Sequence, residues 1–261
     1  MGKRVAVPSL RAMRASGQRI VCVTAYDATF GALADEAGVD LVLVGDSVAN
    51  TLLGMPNTVG IGLEEMAHHV RATRAGVKGA LLVADLPFGS YGASVAQAVE
   101  SAATLMKAGA EAVKLEGDHP DAIAACTMAG IPVMGHLGFT PQSVNLFGGH
   151  KVQGKGDAGD AIVAQAQRMN DAGAFGVVLE LVPATLAERL TREVDIPTIG
   201  IGAGTGCNGQ VQVLHDVLGL SERVYKHAKP YLDGRDLIAS ALRSYAQEVR
   251  AGSFPTEANA S

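Results

Sequence analysis

The stretch Gly38-Val39-Asp40-Leu41-Val42-Leu43-Val44-Gly45-Asp46 joins a glycine, a short apolar run and an acidic residue. An unbroken run of Leu and Val is typical of a strand that is buried on both faces, as in a parallel sheet. The glycine before the run is the residue expected where a preceding helix ends in a left-handed turn. This stretch therefore predicts a helix, a turn, a buried parallel strand and a polar side chain at the carboxyl end of that strand.

The same pattern recurs along the chain. Comparable apolar runs that end at or near a polar residue lie within residues 79–85, 108–116, 129–136, 172–180 and 195–202. A further run at 19–26 gives seven predicted strands, and a weaker eighth strand is predicted near 210–214. Between the strands, as at 94–108, apolar residues recur every three or four positions, which indicates amphipathic helices. A last amphipathic helix is predicted at 236–249.

Alternating strands and helices over 261 residues, with no Pro/Gly/Ser-rich linker, predict a single (β/α)8 TIM barrel, an α/β fold. The predicted domain spans residues 1–261, with a short lead-in at 1–18 and a frayed tail at 253–261. A doubly wound open sheet is the alternative. That fold predicts a glycine-rich nucleotide loop after the first strand, where this chain has Thr24-Ala25-Tyr26-Asp27.

Composition excludes several classes of protein. The chain is 48% hydrophobic and only 4% aromatic, which argues against a disordered protein and predicts an aliphatic core. A net charge of −5 argues against a nucleic-acid partner. Three widely spaced cysteines without a CxxC pair predict buried thiols in a reducing compartment. No apolar run approaches the roughly 18 residues that span a bilayer, so we expect a soluble, cytoplasmic protein without a membrane partner.

Ionisable residues follow five successive predicted strands, and they are Asp46, Asp85, Glu116, His136 and Glu180. Barrel enzymes build their active sites on the rim formed by the carboxyl ends of the strands. A single strand-terminal acid is commonly the N-cap of the next helix. Five such residues in succession favour an active site, because converging carboxylates repel one another unless a cation lies among them.

Three of these acids follow adjacent strands, and carboxylates without matching His or Cys residues favour Mg²⁺ or Mn²⁺ over zinc. Asp46, Asp85 and Glu116 are therefore the predicted metal ligands. Lys114 precedes Glu116 by two residues and shares its face of the strand. Three roles for Lys114 stay open: a charge partner for an anionic substrate, a Schiff-base nucleophile, or an ion-pair partner of one acid.

The remaining strand-end residues suggest proton transfer. Glu180 is the natural general base, and His136 is a candidate neutral donor or proton shuttle. The glycine-rich segment 199–206 suits either the close approach of a ligand or tight packing. The segment 146–156 predicts a long loop on the same rim, where such loops tend to be lids or binding loops.

Several blocks of sequence occur together and in order, and their joint occurrence is specific. They are Thr24-Ala25-Tyr26-Asp27, Leu33-Ala34-Asp35-Glu36-Ala37-Gly38-Val39-Asp40, Val44-Gly45-Asp46-Ser47, Val83-Ala84-Asp85-Leu86-Pro87-Phe88, Val113-Lys114-Leu115-Glu116-Gly117, Gly135-His136-Leu137-Gly138-Phe139-Thr140-Pro141-Gln142-Ser143, Lys151-Val152-Gln153-Gly154-Lys155, Leu179-Glu180-Leu181-Val182-Pro183 and Ile199-Gly200-Ile201-Gly202-Ala203-Gly204. In these blocks the chain resembles the ketopantoate hydroxymethyltransferase (3-methyl-2-oxobutanoate hydroxymethyltransferase) family.

This resemblance implies a (β/α)8 barrel of the phosphoenolpyruvate/pyruvate type that binds Mg²⁺ and forms homodecamers. It implies transfer of a hydroxymethyl group from 5,10-methylenetetrahydrofolate to 3-methyl-2-oxobutanoate through a metal-stabilised enolate. The product would be 2-dehydropantoate, for pantothenate and coenzyme A synthesis. The expected partners are thus a small 2-oxo acid, a folate and further copies of the chain.

The resemblance also implies a role for individual residues. The residues that match the family's metal positions are Asp46, Asp85 and Glu116. The residues that match its oxo-acid contacts are Asp46, Ser47, Asp85 and Lys114. Glu180 matches its proton acceptor, and His136 is a further substrate contact. The chain departs from the family's pattern at Ala49, where glycine is usual, and at Asn208, where aspartate is usual.

Two other classes of function stay open from sequence. A carbon–carbon lyase or mutase acting on a 2-oxo acid would use the same rim of the barrel but no folate. A ligand-binding module without catalysis would use the acids only for affinity.

Overall fold

Parallel strands in a closed ring form the core of the part that the structure, a computed structural model, describes: residues 4–222 and 225–260. The strands are β1 (Ile20–Thr24), β2 (Leu41–Val44), β3 (Leu81–Asp85), β4 (Ala112–Lys114), β5 (Val133–Gly138), β6 (Gly176–Glu180), β7 (Thr198–Ile201) and β8 (Gly209–Gln212). Each strand pairs with the next in the chain, and β8 pairs with β1 to close the barrel. The predicted (β/α)8 barrel is confirmed, and the open sheet is wrong.

Helices connect the strands. They are α1 (Val7–Ser16), α2 (Ala28–Glu36), α3 (Val48–Thr51), α4 (Leu63–Gly76), α5 (Val95–Ala108), α6 (Pro120–Met128), α7 (Val144–Phe147), α8 (Ala158–Asp171), α9 (Ala184–Glu193), α10 (Leu214–Val217) and α11 (Gly234–Ala251). Short 3-10 turns lie at Thr58–Gly60, Pro141–Ser143 and Glu257–Asn259.

Local sequence sets the ends of α5, the helix predicted at 94–108. The Ser94 hydroxyl accepts the N–H of Gln97 at 3.2 Å, which satisfies a donor of the first turn. At the other end Gly109 has a φ of 117°, and its N–H donates to the carbonyl of Met106 at 3.0 Å. A residue with a side chain rarely adopts this conformation, so the glycine ends the helix.

The interior of the barrel changes from apolar to charged along the strands. On β3, Leu81 and Val83 belong to the buried apolar cluster at the centre of the barrel. Alternate residues of a strand share a face, so Asp85 continues this inward row. The same holds on β4, where Ala112 belongs to the apolar cluster and Lys114 follows it. The sheet thus directs charged side chains inward at the carboxyl ends of its strands.

The predicted lead-in contains a helix that covers the amino-terminal end of the barrel. Leu10 of α1 is fully buried and belongs to the same apolar cluster as Ile20 at the start of β1. Partly buried side chains at Val7 and Met13 pack against this cluster. Charged side chains lie at one end of the barrel and the buried face of α1 covers the other, so the barrel has one polar rim.

The described residues divide into two compact units, with the boundary between Val213 and Leu214. The first unit contains the barrel. The second contains α10, α11 and the Glu257–Asn259 turn, in which the Thr256 hydroxyl donates to Asn259 Oδ1 at 2.7 Å. The single domain predicted for 1–261 stays a prediction. No helix among the described residues is long and apolar enough to cross a membrane.

One aspartate ties a helix to the start of a strand. The Asp35 carboxylate, in α2, accepts backbone N–H groups from Lys78 at 3.1 Å, Gly79 at 2.9 Å and Ala80 at 2.6 Å, directly before β3. Partial burial opposes ionisation of Asp35, but these hydrogen bonds and the nearby Arg74 lower the pKa of its carboxyl.

Replacing Asp35 by asparagine removes acceptor capacity for these N–H groups, so we expect Asp35→Asn to lower the free energy of unfolding by about 1–3 kcal/mol at pH 7. Because the folded state lowers this pKa, the contribution is present above the unfolded pKa and is lost as pH falls through the folded pKa. Urea unfolding at pH 7 and at low pH measures both effects, with the exposed Glu36→Gln as control. Equal stability of Asp35→Asn and wild type at pH 7 would contradict this account.

Candidate active site

Contacts link the strand-end residues in a continuous series. The backbone N–H of Asp46 donates to Asp85 Oδ2 at 3.0 Å. Lys114 Nζ lies 2.8 Å from Asp85 Oδ1 and 3.8 Å from Glu116 Oε1. The structure therefore joins the ends of three neighbouring strands, with the Asp85 and Glu116 carboxylates beside one ammonium group.

A histidine extends this series to the predicted base. His136 Nδ1 lies 3.2 Å from Glu116 Oε1, and His136 Nε2 lies 3.4 Å from Glu180 Oε2. His136 is buried, whereas the side chain of Glu180 is 14% exposed. We define the charged cluster by its six members, which are Asp46, Asp85, Lys114, Glu116, His136 and Glu180.

The two basic groups of the charged cluster are held in their protonated forms. Burial and the Lys114 ammonium oppose charge on His136, but Glu116 and Glu180 outweigh them and raise the pKa of the imidazole to about 9. Burial likewise opposes charge on Lys114, yet the surrounding carboxylates, Asp85 foremost, raise the pKa of its ammonium. A pKa of about 9 favours the protonated imidazole at neutral pH, and the roles of His136 as a neutral donor or a proton shuttle stay predictions.

The acids of the charged cluster differ in their electrostatic environment. Burial opposes ionisation of Glu116, but His136 and then Lys114 lower the pKa of its carboxyl. Burial raises the pKa of Asp85 despite the Lys114 ammonium beside it. Burial, Glu116 and Asp85 together raise the pKa of Asp46 well above its usual range. No ion pair among the described residues involves Asp46, so its negative charge is the least compensated of the four acids in the charged cluster.

The charged cluster has more acidic than basic groups. With its four carboxylates ionised and its lysine and histidine protonated, the charged cluster carries −4 + 2 = −2. Buried negative charge of this size is costly unless a cation compensates it. Carboxylate oxygens are the donors that hard divalent cations prefer. The donor chemistry therefore fits a divalent cation, with Asp46 as the acid that most needs it.

The positions of the oxygen atoms do not form a complete metal site. Among residues 4–222 and 225–260, no group of three or more His, Cys, Asp or Glu side chains is arranged so that it could hold a metal ion. Lys114 Nζ lies between Asp85 and Glu116, and the Gln142 amide donates to Asp46 Oδ2 at 2.8 Å. Binding an ion through Asp46, Asp85 and Glu116 together would require these side chains to rearrange.

Hydroxyl groups lie beside the charged cluster on its β1 side. Tyr26 OH is 2.9 Å from Ser47 Oγ, and Thr24 Oγ1 donates to the same phenol at 2.9 Å. A Cβ at Gly45 would lie 2.8 Å from Ser47 Oγ and 3.6 Å from Asp85 Oδ2, so a side chain there would force Ser47 to shift. The predicted substrate contact Ser47 is thus next to the cluster.

The backbone around Glu180 is fixed by its neighbours. The Glu180 carbonyl accepts the N–H of Phe139 at 2.8 Å. Leu181 has a φ of 46°, a region that L residues rarely adopt, and its carbonyl accepts the N–H of Gln153 at 2.9 Å. The loop predicted at 146–156 therefore contacts the chain directly after Glu180, and its role as a lid or binding loop stays a prediction.

Sequence reasoning missed two buried residues at the site, Gln142 and Tyr91. Gln142 donates to Asp46 through its amide and to Glu116 Oε2 through its backbone N–H, at 2.8 and 3.0 Å. The Tyr91 hydroxyl donates to Gln142 Oε1 at 2.6 Å. Both lie in loops rather than directly after a strand, so the strand-end pattern could not find them.

The strand-end acids do not cap the following helices. Residues Ser47, Ser94, His119 and Pro183 occupy the N-cap positions of α3, α5, α6 and α9. The capping interpretation of the strand-end acids is therefore wrong for these helices. All three cysteines are buried and free, as the sequence predicted.

The glycine-rich segment and the two departures from the family pattern have packing explanations. A Cβ at Gly204 would lie 2.6 Å from the Cβ of Ala184 in α9, which favours the packing interpretation of 199–206. Ala49 is fully buried in α3. Asn208 Oδ1 accepts the N–H of Thr198, the first residue of β7, at 3.0 Å. Asn208 therefore lies at the amino-terminal end of the barrel, away from the charged cluster.

Comparison with known proteins gives a family match over nearly the whole chain. A family model described as ketopantoate hydroxymethyltransferase matches residues 4–257. The 3-methyl-2-oxobutanoate hydroxymethyltransferase of Syntrophus aciditrophicus (strain SB) is 48% identical over 261 residues, covering 98% of this chain and 96% of the relative. The protein of the same name from Chloroflexus aurantiacus (strain ATCC 29366 / DSM 635 / J-10-fl) is 51% identical, covering 97% of this chain and 91% of the relative.

Among solved structures, the phosphoenolpyruvate phosphomutase from Streptomyces platensis subsp. rosaceus matches with a TM-score of 0.65. The match covers 95% of this chain and 88% of that chain at 15% sequence identity. At this identity the likeness concerns the fold alone, and it agrees with the closed (β/α)8 barrel.

The uncompensated charge of Asp46 predicts an effect on stability. Because burial and like charges disfavour the ionised form, we expect Asp46→Asn to raise the free energy of unfolding by about 1–3 kcal/mol in EDTA at pH 7. The asparagine carbonyl can still accept the bond from Gln142. Adding Mg²⁺ should raise the Tm of wild type but not of Asp46→Asn.

Thermal unfolding with and without Mg²⁺ measures both differences. The exposed Asp157→Asn serves as control, and its response to Mg²⁺ should match that of wild type. An Asp46→Asn variant that is less stable than wild type in EDTA, or that Mg²⁺ stabilises equally, would argue against this electrostatic account.

Proposed function

The chain belongs to the ketopantoate hydroxymethyltransferase family, and from that membership we propose that it is a 3-methyl-2-oxobutanoate hydroxymethyltransferase. The proposed reaction transfers a one-carbon unit from 5,10-methylenetetrahydrofolate to 3-methyl-2-oxobutanoate and gives 2-dehydropantoate, a step toward pantothenate. One observation carries the chemical part of this proposal. A partly exposed carboxylate, Glu180, lies at ion-pair distance from an imidazolium at the edge of a buried charged cluster.

In this proposal the oxo acid binds at the charged cluster with its carboxylate toward cationic and hydroxyl donors. The Lys114 ammonium offers a buried positive charge, and the raised pKa of this group keeps it charged. Ser47 Oγ offers a hydroxyl beside it, with Tyr26 OH at 2.9 Å to orient it. A fixed donor set of this kind stabilises negative charge that develops on a substrate.

We propose Mg²⁺ or a similar divalent ion as the cofactor, which Asp46 and Asp85 would hold with Glu116 as the third ligand after Lys114 and Gln142 move from these carboxylates. The support is the net charge of −2 and the donor chemistry described above. When bound, such an ion acts as a Lewis acid on the 2-oxo acid and makes its C3 proton more acidic.

Glu180 is the proposed base that removes the C3 proton. His136 lies at ion-pair distance from both Glu180 and Glu116, so its positive charge compensates the charge of Glu180. The left-handed Leu181 and the bond from Phe139 fix the backbone on either side of this carboxylate. A base on rigid backbone is expected where proton transfer depends on sub-ångström geometry.

The proposed reaction uses water to release the one-carbon unit from the folate. Water adds to the methylene carbon, both carbon–nitrogen bonds break, and tetrahydrofolate leaves with the two protons of the water on its nitrogen atoms, so that the carbon becomes the carbonyl carbon of formaldehyde. The C3 proton of the oxo acid passes to Glu180, and C3 forms a bond to this carbonyl carbon as its C=O π bond breaks. The proton on Glu180 then passes to the new alkoxide and gives the hydroxymethyl group.

A Schiff base at Lys114 is disfavoured by the charge around this residue. A lysine must lose its proton to act as a nucleophile. Asp85 lies 2.8 Å from the ammonium, and the neighbouring carboxylates raise the pKa of Lys114. We therefore expect no adduct of Lys114 when borohydride is added with the 2-oxo acid.

We further propose that the protein acts as a homo-oligomer, of ten copies by family resemblance. The support from this chain is an exposed apolar row on α11, formed by Ile238, Leu242, Tyr245 and Val249. Residues at this spacing lie along one face of a helix. Exposed apolar rows of this kind commonly mark protein interfaces.

Exchange of the C3 proton of 3-methyl-2-oxobutanoate in deuterium oxide tests the proposed base. With Mg²⁺ and without folate, we expect wild type to exchange this proton, and Glu180→Gln to exchange it about 10²–10⁴-fold more slowly. Proton NMR follows the exchange. Glu188→Gln, an exposed glutamate of α9, is the matched control and should exchange at the wild-type rate.

Product formation in the same samples separates the competing functions. The proposed transferase makes 2-dehydropantoate only after methylenetetrahydrofolate is added. A wild type that converts the 2-oxo acid without folate would favour a lyase or mutase, and one that binds it without exchange would favour a binding module. Full exchange by Glu180→Gln would remove Glu180 as the base.

A further inference from the structure

Leu181, the residue directly after the proposed base, has the only left-handed backbone among the non-glycine residues that the structure describes. Its φ is 46°, a conformation that a leucine adopts only where its surroundings hold it. Strained residues of this kind cluster at functional sites. The contacts of Leu181 identify what holds this conformation and which side chain depends on it.

The peptide group that links Glu180 to Leu181 is hydrogen-bonded on both of its sides. The Glu180 carbonyl accepts the N–H of Phe139, directly after β5, at 2.8 Å. The Leu181 N–H donates to the carbonyl of Ile201, the last residue of β7, at 3.0 Å. Val178 belongs to the buried apolar cluster, so Glu180, two residues later, continues the inward row of β6. The sheet therefore fixes the backbone of Glu180 up to Leu181.

The left-handed turn at Leu181 directs its carbonyl to a neighbouring loop. We call residues 148–154, in the loop after β5, the strap. The Leu181 carbonyl accepts the N–H of Gln153, in the strap, at 2.9 Å. Extended values of φ and ψ at Leu181 would turn this carbonyl in another direction. The bond from Gln153 and the left-handed conformation of Leu181 therefore require each other.

The strap also contacts the other backbone partner of Glu180. The ring of His150, in the strap, packs against the buried ring of Phe139 with the centroids 4.7 Å apart. At the end of the strap, a Cβ at Gly154 would lie 2.6 Å from a side chain of α9 and 2.7 Å from one of α8, so the strap packs closely there. One segment thus contacts both Phe139 and Leu181, the two residues next to the Glu180 backbone.

Side-chain contacts alone hold the Glu180 carboxylate weakly. Among the ion pairs of the described residues it takes part in one, with His136 Nε2 at 3.4 Å. This distance exceeds the roughly 2.7–2.9 Å of a strong charge-assisted hydrogen bond. The place of the carboxylate therefore depends mainly on the direction of the Cα–Cβ bond, which the backbone sets.

We propose that Leu181 is a positioning residue for Glu180, and that its left-handed backbone, held by the strap, sets the direction of the carboxylate. This inference rests on the proposed function for the role of Glu180 as the base. Leu181 acts through its backbone, and the strap acts through Leu181 and Phe139. The arrangement connects the loop after β5 to the reacting end of β6.

Two substitutions at Leu181 separate backbone conformation from side-chain volume. Leu181→Ile keeps the volume, but its branched side chain disfavours the left-handed conformation. Leu181→Gly removes the side chain, but glycine adopts this conformation freely. If the leucine side chain itself mattered, Leu181→Gly would do more damage. If the backbone positions the base, Leu181→Ile does more damage.

Exchange of the C3 proton of 3-methyl-2-oxobutanoate in deuterium oxide, with Mg²⁺ and without folate, measures the base. We expect Leu181→Ile to lower the rate at saturating 2-oxo acid about 10- to 100-fold, because small displacements of a catalytic group cost this much. Leu181→Gly should keep the rate within about threefold of wild type. The half-saturating concentration of the 2-oxo acid should change less than about threefold in both variants, because the base acts after binding.

Deuterium uptake of the metal-free protein, measured by mass spectrometry, reports on the strap without relying on activity. In Leu181→Ile the N–H of Gln153 loses its acceptor, so we expect the peptide that contains Gln153 to take up deuterium about tenfold faster at this amide. In Leu181→Gly the uptake should equal that of wild type.

Leu179→Ile is the matched control. It makes the same substitution in β6, at a fully buried leucine whose backbone is extended rather than left-handed. We expect both readouts to equal those of wild type. Thermal unfolding identifies any variant that does not fold. If Leu181→Ile is one of these, Gln153→Pro carries the test, because it removes the N–H of the strap and should slow C3 exchange about tenfold.

The outcomes separate this inference from the proposed function. A Leu181→Ile variant that exchanges the C3 proton at the wild-type rate, or that leaves deuterium uptake at Gln153 unchanged, would overturn the inference. So would a Leu181→Gly variant as slow as Leu181→Ile. A wild type that exchanges the C3 proton but makes no 2-dehydropantoate would overturn the proposed transferase and leave the positioning role intact. Slow exchange and fast uptake in Leu181→Ile, both absent from Leu181→Gly and Leu179→Ile, support it.

Discussion

The buried ion pair between Lys114 Nζ and Asp85 Oδ1, 2.8 Å apart, is the contact on which the arrangement of the site depends. β3 and β4 are neighbours in the barrel, and Asp85 pairs in register with Lys114. The sheet thus presents a cation and an anion to each other inside the barrel, where removing either one would leave the other buried without a partner. Asp46, Glu116 and the residues beyond them are organised around this pair.

A single lysine cannot balance the acids gathered around it, and this imbalance connects the fold to the chemistry. His136 adds a second positive charge, because Glu116 and Glu180 raise the pKa of its imidazole to about 9. With all four carboxylates ionised two negative charges still remain, and burial and like charges raise the pKa of Asp46 well above its usual range. The same deficit that costs the metal-free protein stability would favour a divalent cation and an anionic 2-oxo acid that chelates it. Stability and proposed function are therefore opposed at this residue.

Sequence alone predicted the barrel and the strand-end residues, because parallel strands require continuous apolar runs and direct their carboxyl ends to one rim. It could not predict the contact of Gln142, which is 96 positions from Asp46 and reaches it from a turn after another strand. The sequence also could not choose among the three roles of Lys114, because an ion pair depends on the distance between two groups, and only the folded chain sets that distance. The protonation of His136 depends on two carboxylates whose approach only the folded chain defines.

The central claim is that the charged cluster binds a divalent cation through Asp46 and Asp85. Anomalous diffraction from crystals soaked in Mn²⁺ and 3-methyl-2-oxobutanoate tests it most directly. We predict one anomalous peak within coordination distance of oxygens from both carboxylates, about 2.0–2.3 Å, with the oxo acid bound to the same ion. A peak away from Asp46 and Asp85, or a bound oxo acid with no peak beside it, would contradict the account.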